Sequence, residues 1–164
     1  AAPGVAIWIA GDGPEAERLR ERAGAARLRV SFLGRLGRRE RRLALEACEA
    51  VVIPSIVDPS GRVEGAPVVA SEALVAGRPV IATRTGELPE MLADGRNALL
   101  VAPGDAADLA RALTTFAGNS VLKEELTGEA VGSGPAFSMD RTVDEFASVI
   151  VELAADRAEA VAGR

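Results

Sequence analysis

Two carboxylates eight residues apart frame the segment of this chain with the most chemistry: Glu64-Gly65-Ala66-Pro67-Val68-Val69-Ala70-Ser71-Glu72. Pro67 suits a first helical position. Glu64 then lies in the loop ahead of the helix and Glu72 about a turn and a half into it. At ~1.5 Å of rise per helical residue the two carboxylates stand on the order of 10 Å apart. That is too far for the ~5.5 Å pair of a retaining glycosidase. It suits a ligand with two polyhydroxy ends joined by a charged bridge. The N–H groups of Gly65, Val68 and Val69 point out of the helix start, where an anion is favoured. A pyrophosphate there, a sugar at Glu64 and a ribose at Glu72 satisfy every group, since carboxylates accept paired hydrogen bonds from vicinal diols. The alternative is purely structural: Glu64 caps the helix or is solvated, and Glu72 faces water. Against it, the helix is otherwise apolar (Val68, Val69, Ala70, Ala73, Leu74, Val75), so a lone Glu on it needs a partner.

Other constellations are weaker. Thr83-Arg84-Thr85-Gly86-Glu87-Leu88-Pro89-Glu90 reads as a strand-to-helix loop in which Gly86 allows close backbone approach, or as an ordinary turn. Gly11-Asp12-Gly13-Pro14 lacks the third glycine of a dinucleotide fingerprint, and Pro14 removes an N–H, so a tight turn is favoured. Arg35, Arg38, Arg39, Arg41 and Arg42 could meet phosphates or anionic lipid head groups. A solvated helix start is the favoured reading. Arg35 is the best placed of the five, directly after the strand-ending Gly34. Cys48 reads as a small core residue, and Trp8 as packing inside a buried strand.

Composition bounds the chemistry. The 164 residues are the length of one domain. With 48% hydrophobic residues the chain can form a sizeable core. A net charge of −5 argues against a nucleic-acid partner. The chain has no His and no Tyr, which excludes a Ser-His-Asp triad, a His-based zinc site and a tyrosine base within it. A single cysteine excludes an internal disulfide framework and a multi-Cys metal site. No apolar run approaches the ~20 residues that span a bilayer. The opening Ala1-Ala2-Pro3-Gly4-Val5 carries neither Met nor a signal pattern, and reads as a chain cut from something longer.

The elements that must position the carboxylates alternate. Short apolar runs at 5–10, 28–33, 51–53, 79–82 and 98–101 read as strands, the first buried on both faces. Helical stripes fall at 15–25, 38–48 (Leu43, Ala44, Ala47 and Cys48 apolar), 67–76, 89–93, 105–117 capped by Asp105, 120–131 and 138–162. Helix 67–76 is apolar almost all round, as if pressed hard against a sheet. The final helix has Val143, Phe146, Ile150 and Leu153 on its stripe. This is an α/β pattern with a parallel sheet flanked by helices. Ligands bind such sheets outside the carboxyl ends of the strands. The loops at 11–14, 34–38, 54–66 and 83–89 all lie at that edge, and 54–66 is long for an α/β connection.

Phe32-Leu33-Gly34, Val52-Ile53-Pro54-Ser55, Glu64-Gly65-Ala66-Pro67 and Ser71-Glu72-Ala73-Leu74-Val75-Ala76-Gly77-Arg78-Pro79-Val80-Ile81-Ala82-Thr83 together resemble the C-terminal, donor-binding half of GT-B retaining glycosyltransferases. The match is strongest to family 4, the glycosyl transferases group 1. Gly11-x-Gly13-Pro14, Pro89-Glu90, Asp94-Gly95-x-Asn97 and Leu100-Val101-x-Pro103-Gly104-Asp105 follow in the same order, so the resemblance covers about residues 5–117, with a weaker echo at 137–139.

The resemblance implies a Rossmann-like half of a two-domain enzyme, lacking its first βα unit. Residues 1–135 would form the donor-binding domain and 136–164 a C-terminal amphipathic helix. It implies a hexosyltransferase of carbohydrate biosynthesis that takes a nucleotide-diphospho-sugar, with no metal and no cofactor. Glu64, the implied catalytic residue, would contact the donor sugar. Glu72 would hold the ribose. Gly65, Ala66, Pro67 and Val68 would hold sugar and phosphate, Gly34, Arg35 and Leu36 would line the base, and Gly86 would approach the donor. The leaving phosphate would help deprotonate the acceptor. The acceptor-binding domain and a phosphate-gripping Arg and Lys would lie before residue 1, so the chain alone is expected to be inactive. The implied location is cytoplasmic, with peripheral membrane contact open to the full enzyme. Ala66 stands where a large apolar residue is usual, and Glu87 where a second glycine is usual. The rival from another class is a non-catalytic nucleotide-binding or interaction module of the same fold. A GT-B-like epimerase half is a third reading, but its chemistry usually wants a His.

Overall fold

The computed structural model describes residues 5–26, 28–63 and 65–162. Strands β1 (Ile7–Ala10), β2 (Val30–Gly34), β3 (Val51–Ile53), β4 (Val80–Thr83) and β5 (Ala98–Val101) alternate with helices α1 (Ala16–Ala25), α2 (Arg38–Ala47), α3 (Val68–Val75) and α4 (Leu88–Met91). Helices α5 (Ala106–Gly118), α6 (Ser120–Ser133), a 3-10 turn (Gly134–Phe137) and α7 (Met139–Ala162) complete the chain. All strand pairing is parallel, as the α/β pattern requires. The strands divide into two sheets, β1-β2 and β3-β4-β5, where the sequence suggested one.

The division explains a correction to β1. Its apolar run reads as buried on both faces, yet its residues alternate between half-buried and exposed, and Trp8 is 47% exposed. Among the described residues β1 hydrogen-bonds β2 alone and α1 buries none of its side chains, which leaves Trp8 half open. β4 sits between β3 and β5 and all four of its residues are buried. The core lies around it: Leu74, Ile81, Leu88 and Leu126 are fully enclosed. Phe116, with Leu109, Ala112 and Leu113 beside it, packs Ile81 and Leu126 from α5.

Helix ends follow local chemistry. Asp105 accepts hydrogen bonds from the Ala107 and Asp108 amides at 2.9 and 2.8 Å, the cap its position implied. α3 ends in a Schellman motif: Arg78 N–H reaches Ala73 O at 2.8 Å and Gly77 N–H reaches Leu74 O at 2.9 Å, with Gly77 at φ +66. Gly132-Ser133-Gly134-Pro135 reads as a break after residue 131, but α6 continues to Ser133 and tightens into the 3-10 turn. No helix among the described residues is long and apolar enough to cross a membrane.

Candidate functional site

The loops after β3 and β4 are tied together at the carboxyl edge of their sheet. Thr83, the last residue of β4, donates its hydroxyl to Ser55 O at 2.6 Å, joining the loop after β4 to the loop after β3. The Glu87 amide donates to Gly65 O at 3.4 Å, and the Glu87 Oε1 lies 3.8 Å from where a Cβ on Gly65 would stand. Gly86, at φ +54, makes the turn that brings Glu87 there. Gly65 and the Gly86 loop thus lie side by side. Gly11 and Gly34 are stitched by a 2.7 Å hydrogen bond from Gly11 N–H to Gly34 O, which closes the turn at the end of β1. Arg35 is exposed and Leu36 half-buried on the turn that follows.

α3 opens at this edge. Pro67 is buried and serves as the N-cap at φ −64, ψ 120, one position earlier than expected, so the helix starts at Val68. The Ala70 amide donates to Pro67 O at 2.9 Å, which leaves the Val68 and Val69 amides of the first turn without an intrahelical acceptor, while Gly65, Ala66 and Val68 are exposed around them. α3 is apolar almost all round, as expected, but it is not covered all round. Ala70, Ala73 and Leu74 are buried, whereas Val68 is 69% exposed and Val75 faces out. Glu64, the first carboxylate of the pair, lies outside the described residues.

Glu72 has a partner that the sequence reading missed. Arg41 Nη2 stands 2.8 Å from Glu72 Oε1, with the Glu72 side chain 28% exposed. The charge on an apolar helix is thus matched from α2. The signal was present in the spacing. Leu45 is the buried residue of α2 and Cys48 is half-buried at its end, while Leu43 and Ala47 are exposed. The inward side therefore runs through Ala44, Leu45 and Cys48 and not through Leu43 and Ala47, and Arg41, though exposed, lies one turn before Leu45 on the same side. Arg41 extends that side toward α3. The other arginines of the cluster are solvated: Arg42 pairs with Glu46 at 2.7 Å along the exposed helix face, and Glu40 reaches back to the Gly37 amide at 2.6 Å. Burial pushes the Cys48 thiol up from its ordinary value, in keeping with a packing role.

The turn before β5 is a structural counterpart. Asn97, buried, accepts from the Ala93 amide at 2.9 Å and donates to Ser133 Oγ at 3.0 Å. Asp94 accepts from the Leu100 amide at 2.9 Å and pairs with Arg84 at 2.5 Å. Asp94-Gly95-x-Asn97 thus clamps β5 and α6 around the loop that carries Gly86.

Residues 1–119 match the family model of the glycosyl transferases group 1. The chain belongs to this family. It is similar to a D-inositol 3-phosphate glycosyltransferase of Actinosynnema mirum, 41% identical over 98 residues, covering 60% of this chain and 22% of that protein. It is also similar to a phosphatidyl-myo-inositol mannosyltransferase of Mycobacterium leprae, 35% identical over 120 residues, covering 73% of this chain and 30% of that protein. The structure of Anabaena HepE in complex with UDP superposes with a TM-score of 0.79 at 24% identity, covering 92% of this chain and 42% of HepE. This group 1 glycosyltransferase chain spans from about a fifth to about a third of the curated relatives it matches. The GT-B resemblance and the α/β fold it implied hold.

Proposed function

We propose that these residues form the donor-binding half of a retaining glycosyltransferase, which takes the nucleotide-diphosphate end of an activated sugar at the carboxyl edge of the strands. The observation that carries this reading is the open start of α3. Exposed Gly65, Ala66 and Val68 surround the Val68 and Val69 amides, and Glu72 stands partly exposed a turn and a half along the same helix. The diphosphate lies against the amides, where the helix N-terminus favours an anion. The ribose hydroxyls meet Glu72. Gly34, Arg35 and Leu36 line the base, reached through α2. Glu64 contacts the sugar, a role that rests on its place in the sequence. Complexes of HepE with UDP and with UDP-glucose support the ligand class.

In the reaction proposed, the bond between the sugar anomeric carbon and the leaving phosphate oxygen breaks. An acceptor hydroxyl oxygen bonds to that carbon from the same face, and its proton passes to the departing phosphate. Amides aimed at that phosphate stabilise the charge that grows on the bridging oxygen. The donor is substrate, and the reading asks for no resident metal or cofactor. The acceptor comes from outside these residues, so the domain alone is expected not to turn over.

One observation favours the second reading, a non-catalytic nucleotide-binding or interaction module. The Glu87 carboxylate sits beside Gly65, where it would repel a diphosphate. Binding of UDP and GDP to wild type and to Glu72→Ala tests the proposal. Loss of a charged hydrogen-bond acceptor is expected to weaken binding by about 1–3 kcal/mol. Equal binding by both proteins contradicts it.

A further inference from the structure

We propose that Arg41 is a positioning residue for ribose recognition: it fixes the Glu72 carboxylate so that its second oxygen faces the nucleotide's diol. This rests on the ribose assignment of Glu72 above. The geometry is specific. Arg41 lies in the first turns of α2, on the same side as Leu45, and crosses to α3 to meet Oε1 at 2.8 Å. Among the described residues this contact is an ion pair through Oε1 alone, and Oε2 meets no cation. A glutamate side chain has three rotatable bonds, and unrestrained it would lose rotamer freedom on meeting a ligand. A guanidinium anchored on a neighbouring helix removes most of that cost before the ligand arrives.

Arg41 also sets the charge of the site. Glu87 stands beside Gly65, and Glu72 adds a second carboxylate along the same helix, where charge without a cation disfavours an anionic ligand. The ion pair leaves Glu72 its lone pairs for hydroxyls while offsetting its charge. A ligand lacking the vicinal hydroxyls gains nothing from a positioned Oε2, so Arg41 is expected to act on ribose discrimination rather than on overall affinity.

The test uses the full chain and compares UDP with 2′,3′-dideoxy-UDP, and GDP with its dideoxy analogue, by NMR titration of wild type, Arg41→Met and Arg41→Lys. Met keeps the aliphatic bulk and removes the charge. Unfolding midpoints of all three report on the fold. Wild type is expected to prefer the ribonucleotide. Arg41→Met is expected to cut that preference about tenfold, the share of a charged hydrogen bond. Its dideoxy binding should change less than about twofold, and Arg41→Lys should recover part of the preference. Unchanged preference in Arg41→Met overturns the inference while leaving the ribose at Glu72 in place. An equal loss for both ligands also overturns it, since that is the signature of a general packing defect. No preference in wild type overturns the ribose assignment itself, and the inference with it.

Discussion

At the scale of single residues, two charges near the carboxyl edge are answered from a second element. Glu72 is answered by Arg41 and Asp94 by Arg84, each across the carboxyl edge of the β3-β4-β5 sheet or its flank. Asp94 gives a pH dependence with a defined sign. Burial opposes its charge, but the Leu100 amide, the Arg84 hydrogen bond and the Arg84 charge outweigh that and hold the carboxyl below the usual carboxylate range. A folded value below the unfolded one means that its contribution is present above about pH 4 and lost as pH falls through the folded value. Asp94→Asn is therefore expected to lower stability at pH 7 by about 1 kcal/mol, a figure kept small because solvent screens a side chain this exposed. The deficit should shrink toward pH 3, and denaturant unfolding at the two pH values measures it. A deficit that is unchanged at pH 3 contradicts the assignment. Asp94-Gly95-x-Asn97 was legible in the sequence as part of an ordered motif set. Its hydrogen bonds were not, because they reach forward to Leu100 and across to Ser133.

At the scale of elements, α3 is the part that must not move. Its C-terminal end is seated on the 3-10 turn, where a Cβ on Gly134 would stand 2.6 Å from Leu74 O and 3.3 Å from the Val75 Cα. Both are backbone atoms that cannot yield without shifting the helix. Gly134→Ala is expected to cost about 1–3 kcal/mol by overpacking, measured as a lowered unfolding midpoint, although its helical dihedrals suit alanine. A neutral substitution would show that α3 is less tightly seated. In the sequence this glycine looked like a chain break, because a Gly-Ser-Gly-Pro run has the composition of a loop. Only tertiary contact reveals it as a close approach. The strands β3 and β5 were legible to the residue, since continuous apolar runs bounded by Pro, Gly or Asn leave little choice. The register of α2 was not, because Leu43 and Ala47 mimic an inward stripe and Arg41 was assigned to solvent.

At the scale of the whole molecule, burial is uneven, and the fold class alone does not say so. The β3-β4-β5 sheet has helices packed on it and encloses Leu74, Ile81, Leu88 and Leu126. The β1-β2 pair leaves Trp8 and Leu33 exposed, and α7 leaves Val143, Phe146, Ile150 and Leu153 exposed along its stripe. Alternation of strands and helices fixes α/β in the sequence. It does not fix which strands are neighbours, so one sheet was expected where two are found. The carboxyl edge was legible as the candidate site because parallel strands place all their carboxyl ends together. The central claim is that a nucleoside diphosphate binds at this edge and not at the opposite one, where Glu49, Arg78, Phe116, Lys123 and Thr127 line a separate cavity. Titration of the full chain with UDP and GDP, followed by amide chemical shifts, tests it most directly. The account predicts the largest shifts at Gly34–Leu36, Gly65–Glu72 and Gly86. Shifts confined to Glu49, Arg78 and Lys123, or no shifts with either nucleotide, would contradict it.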